Sequence, residues 1–275
     1  MTTRQQPRTT QRVTVAGTHY LVVLDEAGDC PITASERVAL LRRESGTAPA
    51  GIVRAVRSEH LEEGRSALAE DPAAAWWCET VSASGSSLAT SGGGVLAAVA
   101  ALGEWGSLRF EDRRDAIPMA TPDGIRDVLA GRSGYAVDLG RWRFAGRPET
   151  DSLHTVRIGS EHIEVVAHLS DATPERGLRT AVLAADEALG SPRITHGVGQ
   201  ARVSALLEGE MLPSSCLVAA ATALTLRHRG GLETPHHWAV EFDEATIGVR
   251  MFATEEGEHV SVNAPVHVLG EPEGH

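Results

Sequence analysis

The fold is decided by the stretch Ser91-Gly-Gly-Gly-Val-Leu-Ala-Ala-Val-Ala-Ala-Leu102, in which small residues run into an apolar segment. The stretch Ser214-Ser-Cys-Leu-Val-Ala-Ala-Ala-Thr-Ala-Leu224 has the same character. A helix that is apolar on every side is a buried helix. The 275-residue chain is therefore predicted to contain two central helices, each wrapped by its own half of the chain.

Two hairpins repeat in the same order ahead of these helices. Residues 13–25 contain a strand, a glycine turn and a second apolar strand, and residues 154–171 have the same pattern. A capped helix is predicted after each hairpin. The first is marked by a Thr-x-x-Glu capping box at residues 33–36, and the second by Thr173-Pro174-Glu175.

These repeats, and the strand-like alternation of the remaining segments, indicate an α+β fold of two similar lobes. Each lobe is predicted to be a mixed or antiparallel sheet around a central helix, with an active cleft between the lobes. The predicted divisions are a disordered tail at 1–12, an N-terminal lobe at 13–133, a C-terminal lobe at 134–255, and a return strand and tail at 256–275.

Charge and cysteine content exclude several classes of protein. The chain has 25 Lys and Arg against 37 Asp and Glu, a formal net charge of −12. Nucleic acid and membrane surfaces are not expected as partners, because both require a basic face. Three cysteines without a CxxC pair predict neither a structural zinc site nor a disulfide framework. Residues 1–12 are polar and lack an apolar signal segment, so a cytoplasmic location is expected.

The starts of the two central helices are candidates for anion binding. Gly92, Gly93 and Gly94 leave backbone N–H groups free at a helix N-terminus, where the helix dipole attracts negative charge. Ser214 and Ser215 begin the second helix. If the lobes face each other, one small carboxylate would bind between the two helix ends. Serine and glycine are also ordinary helix caps, and that interpretation stays open.

Short motifs follow one another in a fixed order over nearly the whole chain. They are Gly17-Thr18-His19-Tyr20, Ser82-Ala83-Ser84-Gly85-Ser86, Thr90-Ser91-Gly92-Gly93-Gly94, Val137-Asp138-Leu139-Gly140, Gly159-Ser160-Glu161-His162 and Gly209-Glu210-Met211-Leu212-Pro213-Ser214-Ser215. The order resembles the diaminopimelate epimerase family, which carries Gly-Asn-Asp-Phe, Asn-Ala-Asp-Gly-Ser, Met-Cys-Gly-Asn-Gly, Val-Asp-Met-Gly, Gly-Asn-Pro-His and Gly-Glu-Thr-Leu-Ala-Cys-Gly at these places. The wider superfamily includes proline racemases and phenazine-biosynthesis isomerases. The resemblance implies two lobes with a substrate cleft between them.

The sequence departs from that family at the catalytic positions. The family's two catalytic cysteines correspond to Ser91 and Ser214, and a serine hydroxyl is too weak an acid to replace a thiolate. Cys216 lies two residues past the second place, about 200° around a helix. The asparagines that hold the family's substrate are replaced by Thr18, Ser82, Gly93, Ser160 and Gly199. Epimerisation by two cysteines is therefore not expected.

The candidates for catalysis are His19, His162, Ser91 and Ser214. His162 corresponds to the histidine of the family's Gly-Asn-Pro-His, and His19 holds the equivalent place in the first half. The two imidazoles are therefore predicted to face one cleft as general acid or base. The alternative is that each histidine is simply packed at the start of a strand. The candidates for substrate binding are Gly92, Gly93, Gly94, Ser82, Ser160, Glu210 and Ser215.

Two further groups of polar residues precede or follow the second helix. Glu208 is predicted, with Glu210, either to supply a base to Ser214 or to be a solvated loop acid. The residues His228, His236 and His237 lack the spacing of a metal site on a helix, so no metal ion is predicted. No cofactor is expected either.

These features predict a divergent enzyme of the epimerase-like superfamily. It would be an isomerase, lyase or cyclase that acts by proton transfer on a carboxylate-bearing amino acid or peptide-like substrate, as a tailoring enzyme of specialised metabolism. The alternative is a catalytically inactive homologue that serves as a binding or scaffold protein. The expected partner is the small substrate, and a homodimer is left open.

Overall fold

The computed structural model describes residues 9–43, 47–89, 91–109, 116–131, 134–145, 153–168, 171, 178–184, 193–231 and 233–270. The helices in these residues are α1 (Ala34–Arg43), α2 (Glu62–Glu70), α3 (Gly92–Glu104) and α4 (Cys216–Gly230), with a short 3₁₀ helix at Ser58–His60. The strands are β1 (Thr10–Val15), β2 (Thr18–Leu24), β3 (Gly51–Arg57), β4 (Trp76–Ser82), β5 (Ala116–Thr121), β6 (Gly124–Ala130), β7 (Tyr135–Phe144), β8 (Leu153–Ile158), β9 (Glu161–Val166), β10 (Arg179–Leu183), β11 (Arg193–Thr195), β12 (Val198–Leu207), β13 (Glu210–Leu212), β14 (His237–Glu241), β15 (Thr246–Thr254), β16 (Gly257–Ala264) and β17 (Val266–Leu269).

The strand pairings show that the two halves of the chain have the same topology. In the first half, β1–β2 is antiparallel, β2–β3 parallel, β3–β4 antiparallel, β4–β5 parallel, and β5–β6 and β6–β7 antiparallel. In the second half the same senses recur in β8–β9, β9–β10, β10–β12, β12–β14, β14–β15 and β15–β16. The predicted α+β class is confirmed, and the repeat seen in the sequence is a repeat of strand order.

At two places a strand of one half pairs with a strand of the other half. Residues 135–137 of β7 pair with β6, whereas residues 142–144 pair with β8. In the same way, β16 pairs with β15, and the β17 strand that follows pairs with β1. The strand β7, which begins just after the predicted lobe boundary at residue 134, therefore pairs with strands of both halves. The predicted tail at 1–12 is too long by three residues, because β1 begins at Thr10.

Each central helix is surrounded by the strands of its own lobe. Residues 92–102 of α3 and 216–226 of α4 are buried, and both helices consist largely of alanine, leucine and valine there. Helix α3 packs against β1, β2, β3, β4, β6, β7 and β17, and α4 packs against β8, β9, β10, β12, β14, β15 and β16. The alanine-rich stretches are buried because small side chains let the sheets approach on every side.

The predicted capping box is present at the start of α1. The Thr33 N–H donates to Glu36 Oε2 at 2.9 Å, and the Glu36 N–H donates to Thr33 Oγ1 at 3.3 Å. The helix predicted from Thr173-Pro174-Glu175 lies outside the described residues. Among those that are described, no helix has both the length and the apolar run needed to cross a bilayer.

The glycines at the start of α3 permit close packing, and this can be tested within one helix. A Cβ added at Gly93 would overlap the Tyr20 hydroxyl, whereas one added at Gly103 meets nothing within 4 Å. We expect Gly93→Ala to lower the free energy of unfolding by about 1–3 kcal/mol through overpacking. Gly103→Ala should raise it by about 0.5–1 kcal/mol, because alanine loses less backbone entropy on folding. Urea denaturation followed by circular dichroism measures both, and equal effects would contradict the packing described.

Candidate active site

The N-termini of the two central helices meet. A Cβ placed on Gly92, the first residue of α3, would lie 3.3 Å from Cβ of Cys216, the first residue of α4. It would also lie 2.7 Å from Leu139 Cδ2, so a larger residue at this position would require the leucine side chain to move. The convergence of helix ends that the sequence suggested is therefore present in the structure.

Each helix is capped by one serine, which leaves its first N–H groups available. Ser91 Oγ accepts a hydrogen bond from the Gly94 N–H at 3.1 Å, and Ser215 Oγ accepts one from the Val218 N–H at 3.4 Å. The residue that caps α4 as Ser91 caps α3 is thus Ser215. It lies one residue after Ser214, which the order of motifs had matched to Ser91. Within the part of the chain that is described, the N–H groups of Gly92 and Gly93 have no oxygen acceptor. Free N–H groups at a helix N-terminus attract an anion.

Ser214 joins the two lobes. Its N–H donates to Thr18 Oγ1 at 3.0 Å, and the Thr18 hydroxyl donates to the Ser214 carbonyl at 2.8 Å. Both residues are buried. The predicted catalytic role of Ser214 has no support in this arrangement, because its backbone is used as a structural link to β2. Thr18 stands where the epimerase family has a substrate-binding asparagine. In this structure it forms the other half of that link.

Two buried acids lie at the junction of the helix ends. Tyr20 contacts Ser91 and the first turn of α3, and burial raises the pKa of its phenol to about 12. Burial also raises the pKa of the Cys216 thiol to about 12, although the nearby Arg179 guanidinium acts in the opposite direction. Both groups are therefore protonated at neutral pH, and they are proton donors rather than bases. The sequence analysis assigned no role to Tyr20 and discounted Cys216 because of its register.

A buried ion pair completes this cluster. Arg179 Nη1 lies 2.8 Å from Glu161 Oε2, with side-chain exposures of 5% and 9%. Arg179 acts electrostatically on both Tyr20 and Cys216, so the guanidinium belongs to the same site. The sequence analysis missed this pair. The available signal was that Glu161 shares one face of β9 with Ile163 and Val165, which indicates a buried carboxylate.

The structure does not bring His19 and His162 together at the helix ends. Successive side chains of a strand point to opposite faces. Because Tyr20 and Glu161 face inward, their neighbours His19 and His162 face the other side, and His162 is exposed. Burial lowers the pKa of His19, and the positive charge of Arg12 lowers it further. Strand alternation therefore gives no support to the prediction that the two imidazoles face one cleft.

The predicted serine motif joins the lobes through Glu208. The hydroxyls of Ser84 and Ser86 donate to Glu208 Oε1 at 2.8 and 2.7 Å, and Ser82 Oγ lies 2.7 Å from Ser84 Oγ. Of the two candidate acids before α4, Glu208 thus accepts hydrogen bonds from the serine motif, whereas Glu210 is exposed. Ser84 and Ser86 therefore bind Glu208 of the protein itself, and Ser82 bonds to Ser84.

Two hairpin turns dock on the opposite lobe in equivalent ways. The β1–β2 turn lies against the β14–β15 turn, where a Cβ on Gly17 would be 3.4 Å from Glu244 Oε2. The β8–β9 turn lies against the β5–β6 turn, where the Ser160 N–H donates to Asp123 Oδ2 at 2.9 Å. Ser160, predicted to bind substrate, is exposed and makes this contact through its backbone.

The histidine-rich stretch does not form a metal cluster in the described residues. His228 packs against Phe144 with ring centroids 4.7 Å apart, and His236 and His237 are exposed. The group of ligand-type side chains found in the described part of the chain consists of Asp25, Asp29 and Cys30. Arg54 Nη2 lies 2.6 Å from Asp25 Oδ2, so that carboxylate already has a cation partner.

Comparison with known proteins identifies the fold. No protein-family model matches the chain. The structure of a PhzF-family phenazine biosynthesis protein from Bacillus anthracis is similar, with a TM-score of 0.62, 12% identity, and coverage of 95% of this chain and 96% of that one. A predicted epimerase from Pseudomonas aeruginosa matches with a TM-score of 0.66 and 14% identity over 96% of this chain and 98% of that one.

A hydroxyproline epimerase from Agrobacterium vitis, solved with bound trans-4-hydroxy-L-proline, matches with a TM-score of 0.64 and 11% identity. The match covers 96% of this chain and 89% of that one. At these identities the likeness establishes the two-lobed fold over the full length. The expected α+β fold is confirmed, although none of these three proteins is named a diaminopimelate epimerase.

Thiol reactivity tests the protonation of the site. Because burial raises the pKa of Cys78 and Cys216 to about 12, both thiols stay protonated at pH 8, whereas Cys30 is only half-buried. A thiolate is the reactive form of cysteine. We expect Ellman's reagent to titrate one thiol rapidly in the folded protein at pH 8 and three after unfolding. Rapid reaction of Cys216 in the folded protein, mapped by mass spectrometry, would contradict the raised pKa.

Proposed function

We propose that the chain is an isomerase-type enzyme that moves a proton on a small carboxylate-bearing substrate without a cofactor. The observation that carries this proposal is the meeting of two helix N-termini beside a buried arginine. The N–H groups of Gly92 and Gly93 have no acceptor among the described residues, and the Arg179 guanidinium, paired with Glu161, acts electrostatically on Tyr20 and Cys216 beside them. A carboxylate is the small organic anion that suits such a point.

The proton donors and the base are assigned by their protonation and burial. Tyr20 and Cys216 are protonated at neutral pH, so either can donate a proton to the substrate. Glu161, held by Arg179, is the buried carboxylate of the cluster and is assigned as the base. The base removes a proton from carbon, and a donor returns one at another position or face. Ser91 orients the substrate by holding the start of α3.

This assignment replaces the two-histidine scheme. His19 and His162 are left outside the reaction, because their side chains face away from the helix ends. The finer proposal, a tailoring step in specialised metabolism on an amino acid or peptide-like acid, is supported by the loss of the asparagines and cysteines that the epimerase resemblance would require. Ring closure or elimination would need the same donors and base.

A second candidate function is carboxylate binding without turnover. The observation in its favour is that Tyr20 and Cys216 both stay protonated at neutral pH, so neither of these two groups can act as a base. In this case the protein would bind the same anion as a receptor or scaffold subunit. Binding is common to both candidates, and proton exchange with solvent separates them.

Proton exchange in deuterated water tests the proposal. The protein is incubated with pooled amino acids and small carboxylic acids, and products are examined by mass spectrometry. We expect one compound to gain deuterium. The variants Cys216→Ser, Tyr20→Phe and Glu161→Gln should slow that exchange, by about 10²–10⁴-fold for the group that transfers the proton. The matched control Cys30→Ser, at a cysteine remote from the helix ends, should exchange normally.

His162→Ala decides between the two assignments of catalytic residues. Because His162 is exposed, we expect this variant to keep its exchange rate. A loss equal to that of Glu161→Gln, with an unchanged melting temperature, would contradict the assignment made here. A protein that is stabilised by one of the acids, but never exchanges a proton with it, would support the binding function.

A further inference from the structure

The two lobes are joined beside the helix ends by two contacts of different kinds. The first contact, or link, is formed by Thr18 and Ser214, each 1% exposed, and it uses the backbone of Ser214. The second contact, or clasp, joins the serine turn, residues 82–86, to Glu208 through side chains that are only half-buried. Contacts between half-buried side chains open more easily than those that use buried backbone.

In the first lobe, the start of α3 lies between the link and the clasp. Register pairs Ser82 of β4 with Gly51 of β3, and Gly51 with Tyr20 of β2. Thr18 is at the same end of β2, so Ser82 and Thr18 are two strands, or roughly 10 Å, apart. Tyr20 stands between them, and its hydroxyl lies at the start of α3. The candidate active site is therefore flanked by one contact between the lobes on each side.

In the second lobe, the clasp is held next to Arg179. Glu208 follows Leu207, which is the cross-strand partner of Arg179, and its N–H donates to the Leu178 carbonyl at 2.9 Å. The backbone of Glu208 is thus fixed beside β10, while its side chain reaches the other lobe. Opening the clasp would let the lobes separate at the helix ends, where Cys216 lies against the first residue of α3.

The backbone conformation of Glu208 is unusual for its residue type. Glu208 and Gly209 form the two-residue turn between β12 and β13, with φ of 55° and 83°. A turn with positive φ at both positions prefers asparagine, aspartate or glycine at the first. Glutamate is one methylene longer than aspartate, so what it adds is reach toward the serine turn. Backbone strain of this kind is retained where the surrounding structure and function require it.

The serine turn suits a carboxylate. Gly85 has a φ of 95°, and a Cβ at this position would overlap the guanidinium of Arg37 from α1. Within the described residues Arg37 has no ion pair, and its Nε is buried without a hydrogen-bond acceptor. An uncompensated positive charge thus lies next to the turn, whose Ser84 and Ser86 hydroxyls donate to Glu208 Oε1 at 2.8 and 2.7 Å. Hydrogen bonds to a charged acceptor are about twice as strong as neutral ones.

We propose that the clasp gates the candidate active site. While the Glu208 carboxylate is bound to Ser84 and Ser86, it holds the lobes shut beside the helix ends, and its release opens the route to them. The inference rests on the proposed function for the identity of the site that is gated. Glu208 is a positioning residue in this scheme, because it acts through the serine turn and leaves the proton transfer to other groups.

Thiol accessibility tests the gate without any substrate. In a Cys30→Ser background the two remaining thiols, Cys216 and Cys78, are 5% and 2% exposed. Cys216 lies where the lobes meet, whereas Cys78 is in β4, inside the first lobe. A buried thiol reacts only when the structure around it opens, so its rate reports the open population. Alkylation of each cysteine by iodoacetamide is followed by mass spectrometry of its peptide.

We expect Glu208→Gly to speed the alkylation of Cys216 by about 10-fold or more and to leave that of Cys78 unchanged. Glycine adopts positive φ without strain, so the turn itself is not disturbed by this change. The double variant Ser84→Ala/Ser86→Ala should have the same effect. Because both variants remove one contact, the combination of all three changes should react no faster than either alone.

Ser87→Ala is the matched control, because it removes an exposed hydroxyl that does not bond to Glu208 and should leave the rate unchanged. An unchanged rate at Cys216 in Glu208→Gly would overturn the proposal. Equal acceleration of Cys78, or effects that multiply in the combined variant, would overturn it as well. Since no substrate is used, a failure to find proton exchange does not alter this measurement, and the gate and the proposed function fail separately.

Discussion

Two helix N-termini meet head to head at the centre of this protein, and the rest of the structure depends on that contact. Each end carries about half a unit of positive charge, so the approach of Gly92 to Cys216 is unfavourable by itself. The Arg179 guanidinium adds to the repulsion, and Glu161 offsets it. Burial of both helices and the hydrogen bonds between Thr18 and Ser214 hold the ends in place. The anion proposed above would be attracted by the same two positive helix ends.

The protonation states of Tyr20 and Cys216 follow from their burial. Removing Tyr20 and Cys216 from water disfavours their charged forms, and the nearby positive charges do not reverse the effect. The site contains two neutral groups, Tyr20 and Cys216, and one ion-paired carboxylate, Glu161. It is therefore asymmetric, although the fold around it is a repeat. The two lobes thus share a topology without sharing a chemical role, because the residues at equivalent places have diverged.

Much of the fold could be predicted from the sequence, because the repeated hairpins and the apolar helices are local patterns. The convergence of the helix ends and the capping by Ser91 followed from the same patterns. The histidine pair finds no support in the structure, because equivalence in sequence does not specify which face of a strand a side chain takes. The Glu161–Arg179 pair joins two neighbouring parallel strands whose register no local pattern specifies. The sequence could not decide which of Ser214 and Ser215 caps α4, because the two residues are chemically alike, whereas the structure gives the cap to Ser215 and the contact with Thr18 to Ser214.

The reciprocal crossing of β7 and of β16–β17 has a consequence for the origin of the chain. Each half ends in a strand that pairs with the first strand of the other half. A half-length ancestor with this connection could not have completed its own sheet. It would have existed as a pair of chains that exchanged their last strands. Fusion of two such genes would convert an exchange between molecules into one within a molecule. The first lobe could then complete its sheet only after β17, at Val266–Leu269, had been synthesised.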